Sequence, residues 1–132
     1  LTAAGFPVDI RRVEYVETDS PGSSLLLRGV YEEGLVGVDA LGERGRPSEV
    51  VAEDAVREFG AVHATDAAVD PFMADQLLVV LALAGGRVRI PTLTDHVRTN
   101  LDLLAQFGSD VDVDRRADGT VLVEASAHPT LR

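Results

Sequence analysis

The chain has 132 residues, 45% of them apolar and 26% charged, a balance that excludes intrinsic disorder and allows one ordinary core or two small ones. Its 22 acids outnumber 12 bases for a net charge of −10, and every base is an arginine. Such acidity excludes a broad nonspecific nucleic-acid surface, but not a small arginine-lined pocket for one phosphate end.

The absence of cysteine excludes disulfides and thiolate metal sites. The longest apolar run, residues 77–86, is too short to span a bilayer, and no signal peptide is visible. These features set the expectation of a cytoplasmic protein without membrane contact. Arginine-only, acid-rich composition points to a GC-rich genome or to a surface adapted to salt.

The opening Leu1-Thr2-Ala3-Ala4-Gly5 reads as the last turn of a helix with its terminal glycine, which suggests a piece of a larger protein. Residues 8–16 read as a strand whose alternation slips at Arg11-Arg12, where a bulge fits. Asp19-Ser20-Pro21-Gly22 is a turn. Residues 24–31 and 35–40 form two further strands, joined as a hairpin through Glu32-Glu33-Gly34. A loop over 42–47 leads to Ser48, read as the N-cap of a helix with Val51, Ala52, Ala55, Val56 and Phe59 on one face and Gly60 at its end. Residues 63–66 read as a linker.

Beyond it, Asp70 caps and Pro71 opens a helix to Ala84, stopped by Gly85-Gly86. It is apolar almost all round beyond Gln76, which predicts burial. Residues 87–91 make a short strand, and Thr94 or Asp95 caps a helix that carries His96 toward Gly108. Val111/Val113 and Val121/Val123 alternate on two strands closed by Ala117-Asp118-Gly119-Thr120. The fold class is α+β: a three-stranded sheet with a helix, followed by an α-β-α-β-β unit.

A histidine at a helix start is suited to chemistry on phosphate. The backbone N–H groups and the helix dipole favour an anion there. Imidazole in water titrates near pH 6.5, so its neutral, nucleophilic form is available around pH 7. Without further context His96 reads as a partly exposed helix-start residue, and Asp75 and Gln76 as a solvated helix side. Arg98 reads as the i, i+4 partner of Asp102. Thr99 and Asn100 read as packing and local hydrogen bonding, and Gly42–Gly45 as a turn feeding a helix. His63 and His128 fall in a linker and a tail, and no His/Asp/Glu spacing demands a metal.

Six ordered strings change that balance: Ser20-Pro21-Gly22-Ser23, Ala40-Leu41-Gly42-Glu43-Arg44-Gly45, Ala67-Ala68-Val69, Ala74-Asp75-Gln76-Leu77, Ala82-Leu83-Ala84-Gly85 and His96-x-x-Thr99-Asn100. In these the chain resembles the C-terminal part of the RNA 3′-terminal phosphate cyclase family. The resemblance implies that 1–64 is the smaller inserted domain, truncated at its N-terminus, and 67–132 the last unit of the large domain. That unit would be similar to the C-terminal domain of translation initiation factor 3.

The resemblance also implies a ligase that uses ATP with a divalent metal such as Mg or Mn. The matching histidine, His96, attacks the α-phosphate, giving a histidyl-AMP. AMP passes to an RNA 3′-phosphate, and the 2′-hydroxyl then closes a 2′,3′-cyclic phosphate. Asp75 and Gln76 match residues lining the nucleotide site. Phe72 stands where some members carry a tyrosine near the adenine, and Arg98 is placed to add charge. The missing N-terminal part, a necessary partner, would supply most of the triphosphate contacts, so the fragment alone is expected to be inactive. Two alternatives compete: a non-catalytic cyclase-like protein in ribosomal RNA processing, and a small protein-interaction module.

If the surface is salt-adapted, screening of its self-repulsion raises the melting temperature in molar KCl above that in dilute buffer. Thermal unfolding followed by circular dichroism measures this directly, and a melting point that falls with salt contradicts it.

Overall fold

The computed structural model describes residues 1–9, 11–32 and 34–128. The chain opens on one 3₁₀ turn, Thr2–Ala4, closed by Gly5 at φ 85°, a left-handed value that glycine reaches without strain. The strand expected over 8–16 does not form, since its described residues carry no regular structure; Ile10 lies outside them. Val13, Tyr15 and Val16 are all exposed, Tyr15 at 97%. An alternating segment becomes a strand only against a sheet edge or a core, and this one meets neither. The bulge expected at Arg11-Arg12 disappears with it.

Among the described residues the first sheet therefore has two strands rather than three. β1 (Ser23–Tyr31) and β2 (Gly34–Gly42) pair antiparallel from Ser23 opposite Gly42 to Tyr31 opposite Gly34. Glu33, in the expected hairpin connection, lies outside the described residues. Leu27 and Val38 are partners across the ladder, as are Leu25 and Ala40, and this face packs on Ala55 and Phe59 of α1 (Ser48–His63). Gly29 makes room for that contact, because a Cβ there would stand 2.8 Å from the Phe59 ring.

α1 departs from expectation at both ends. Pro47, not Ser48, is the N-cap, and no side chain caps the helix. The helix also continues through Gly60 to His63, because Val62 joins Val51, Ala55 and Phe59 on the buried face. The preceding loop is tied down by Arg46, which donates to Leu41 O at 2.9 Å and pairs with Asp54 of α1.

The second half follows the order α-β-α-β-β. α2 (Pro71–Ala84) is followed by β3 (Gly86–Ile90), α3 (Asp95–Gln106), β4 (Val111–Arg115) and β5 (Val121–Ala125). The strands lie in the order β3-β5-β4, antiparallel throughout. Ala74 and Leu78 of α2 and Val97 of α3 close one core with Ile90, Val121 and Val123 of the sheet. The predicted caps form: Asp70 accepts from Phe72 N at 2.9 Å and Met73 N at 2.8 Å, and Thr94 Oγ1 from Val97 N at 3.2 Å.

α2 is not buried all round. Ala74, Leu78 and Ala82 face the core, whereas Phe72, Val79, Val80 and Leu83 are exposed. One sheet and one neighbouring helix cover only one side of a cylinder, whatever the composition of the other. Among the described residues no helix is long and apolar enough to cross a membrane.

The β4–β5 turn is closed by Asp118, whose Oδ1 accepts from Thr120 Oγ1 at 2.7 Å and Thr120 N at 3.0 Å. These two bonds, with Arg89 nearby, hold the Asp118 carboxyl below the usual carboxylate range. A depressed folded-state pKa stabilises the fold above the ordinary carboxylate pKa and loses that contribution as pH falls through the folded value. Asp118→Asn should therefore lower the melting temperature at pH 7, and the gap to the parent should close as pH falls below about 4. Melting curves across that pH range provide the check.

Candidate active site

α3 is anchored by Val97, which has no exposed surface, so the residues on either side of it face outward. Successive residues on a helix are separated by about 100°. His96 and Asn100, four apart, consequently share one flank, and their Cβ atoms lie about 5–6 Å apart. His96 is exposed and its ring has no hydrogen-bond partner among the described residues. Thr99 Oγ1 is used locally, donating to Asp95 O at 2.9 Å.

On α2 the same arithmetic groups Phe72, Asp75 and Gln76, at i, i+3 and i+4. Phe72 is 72% exposed and Gln76 is exposed, while Asp75 is half-buried at the edge of the packed face. The two groups meet through one side-chain contact: Asn100 Nδ2 donates to Asp75 Oδ1. Asp75 is the fifth residue of α2 and Asn100 the sixth of α3. Both helix starts thus lie within about 8 Å, along their axes, of the same contact.

Those helix starts differ as anion sites. At α2, Pro71 has no N–H and Asp70 occupies the next two, so the start is closed by a negative charge. At α3, Thr94 occupies only Val97 N, and the N–H groups of Asp95 and His96 have no partner among the described residues. Free donors and an accessible imidazole therefore coincide in the first turn of α3.

Arg98 is not brought into this group. It lies about 200° around α3 from His96, on another face. It is exposed, and the ion pair expected with Asp102 is not formed. Among the described residues no three His, Asp or Glu side chains gather closely enough to hold a metal ion. The described residues by themselves therefore do not build a cation site.

Two other features were hidden in the sequence. His63 closes α1 rather than lying in a linker; it shares a 2.7 Å hydrogen bond with Tyr31 Oη and stacks on Phe59. Partial burial pushes the Tyr31 phenol up. His128, expected in a tail, donates its backbone N–H to Leu83 O at 3.2 Å. A groove of about 620 Å³ beside the α1 start is lined by Pro21, Gly22, Gly42, Arg44 and Ser48, away from His96.

The structure is thus that of an α+β protein with an accessible helix-start histidine beside a cross-helix Asp–Asn pair. Residues 8–113 match the RNA 3′-terminal phosphate cyclase family, and the chain belongs to that family. An RNA 3′-terminal phosphate cyclase of Halobacterium salinarum is 41% identical over 122 residues, covering 92% of this chain and 36% of the relative. That of Pyrobaculum aerophilum is 40% identical over 110 residues, covering 81% and 32%. That of Pyrococcus furiosus is 35% identical over 107 residues, covering 81% and 31%. The chain spans about a third of the length of these relatives.

Proposed function

We propose that this chain is part of an RNA 3′-terminal phosphate cyclase and carries its nucleophile, His96. The accessible imidazole, with no partner among the described residues and two equally unpartnered N–H donors in the same helix turn, is the observation that carries the reading. Residues 1–64 are then the inserted domain and 67–132 the last unit of the large domain, similar to the C-terminal domain of translation initiation factor 3. The fragment alone is inactive, because about two thirds of the length of its relatives lies outside it.

A ring nitrogen of neutral His96 donates its lone pair to the α-phosphorus of ATP. The new P–N bond forms as the bond to the β-phosphate oxygen breaks, and pyrophosphate leaves. The phosphoramidate divides one difficult transfer into two easier ones. The free N–H groups of Asp95 and His96 face the charge that develops on the phosphoryl oxygens. An oxygen of an RNA 3′-phosphate next attacks the same phosphorus, breaking P–N and freeing the imidazole. The adjacent 2′-hydroxyl then attacks the 3′-phosphorus, closing the cyclic phosphate and releasing AMP. Phe72 offers an exposed ring on which adenine stacks, with Asp75 and Gln76 on the same side of α2.

Incubated with ATP labelled at its α-phosphate, the full-length protein that carries this chain should take up label, and its His96→Ala variant none. Label retained in that variant would falsify the assignment of the nucleophile, and a parent that never labels favours the non-catalytic alternative. Phe72→Ala should raise the KM for ATP about tenfold with a smaller change in kcat, the loss expected for one stacked base. Steady-state cyclisation assays separate the two parameters.

A further inference from the structure

The Asn100–Asp75 hydrogen bond joins α3 to α2 on the flank of His96, not within the core. Val97, Leu101 and Leu104 make the apolar contact of α3, and Asn100 stands between that face and His96. Only one atom of each side chain is used. Asp75 Oδ2 and Asn100 Oδ1 have no partner among the described residues. Among the described residues no buried side-chain nitrogen or oxygen lacks a partner, so the open Asp75 Oδ2 reaches the surface, where a ligand rather than the core can meet it. An open oxygen on a fixed carboxylate does have a use: it presents an acceptor in one direction beside an accessible imidazole.

We infer that Asn100 is a positioning residue of the nucleotide site and acts through Asp75. By holding Oδ1 it stops the Asp75 carboxylate from turning, and it keeps Oδ2 aimed at the ground shared by Phe72, Gln76 and His96. The acceptor so presented suits a donor of the nucleotide, a ribose hydroxyl or the adenine amino group. The inference rests on the reading of His96 given above and adds a residue to it. Leucine at position 100 would extend the apolar stripe of Val97, Leu101 and Leu104, yet would leave Asp75 free to rotate.

A double-mutant cycle on the full-length protein tests this, read as the single-turnover rate of histidine adenylylation well below the lowest melting temperature. Asn100→Ala should slow adenylylation about tenfold, the size of a coupling between contacting residues. In an Asp75→Ala background the same change should cost nothing further. Losses that multiply, or an Asn100→Ala variant as fast as the parent, overturn the inference and leave the bond a clasp. Should Asn100→Ala fail to fold, Asn100→Asp keeps the shape and removes the donor. It should be slow at pH 8 and recover relative to the parent as pH falls and the two carboxyls come to share a proton. A parent-like rate for that variant at pH 8 overturns the inference equally. If the parent itself takes no label, the reading of His96 has failed and the role of Asn100 falls with it. If the parent labels and the cycle is additive, only the role of Asn100 is lost.

Discussion

One apolar side chain sets the polar layout of α3. A helix lying on a sheet keeps one freedom, rotation about its own axis, and Val97 removes it by sitting fully buried against Ile90, Val121 and Val123. His96 and Arg98 flank Val97, each turned about 100° from it in opposite senses, so they face different surroundings. Thr94 spends its side chain on Val97 N, which leaves the N–H groups of Asp95 and His96 open. Turned by one residue, the helix would bury His96 and present Val97. Which residue of the first turn stands exposed is therefore a consequence of core packing.

Local chemistry was legible in the sequence, and pairing over distance was not. Asp70-Pro71, Thr94, Gly85 and the Asp118-Gly119 turn act within four residues, and each does in the structure what its residue type predicts. The segment 8–16 has a strand's alternation, but a strand is a property of two segments, and its partner cannot be read from one. α2 advertised burial through composition alone, which says nothing about how much surface its neighbours can cover. The bonds that organise the two polar clusters link residues 25 and 32 positions apart, Asp75 with Asn100 and Tyr31 with His63. No spacing rule announces such pairs. His96, Asp75 and Gln76 stand within the ordered strings, and Phe72 lies two residues before one of them. Arg98 is close to His96 in sequence, but the helical period turns it about 200° away.

Charge around the α3 start runs against a nucleotide's own. Asp70 closes the neighbouring helix start, Asp95 sits in the first turn of α3, and Asp75 lies one contact away. Attraction for phosphate at this start comes from main-chain dipoles, which are directional and short in reach. In the proposed reading this division makes sense. There the fragment would supply the nucleophile and the direction of approach, and neutralising the triphosphate would fall to the rest of the protein.

The passage from α1 to β3 shows a different economy. Thr65 N and Oγ1 both reach back to Val62 O, at 3.0 and 2.7 Å, and Ala67 N donates to Thr65 Oγ1 at 3.2 Å. Ala68 N then bonds Arg89 O at 2.8 Å, while the Arg89 guanidinium meets Asp66 at 3.2 Å and Asp118 at 3.9 Å. Hardly a residue in this stretch is left slack. Residues 65–68 are thus bonded backward to the last turn of α1 and forward to the edge strand, so four residues carry the chain from one core to the next on hydrogen bonds rather than on apolar contact.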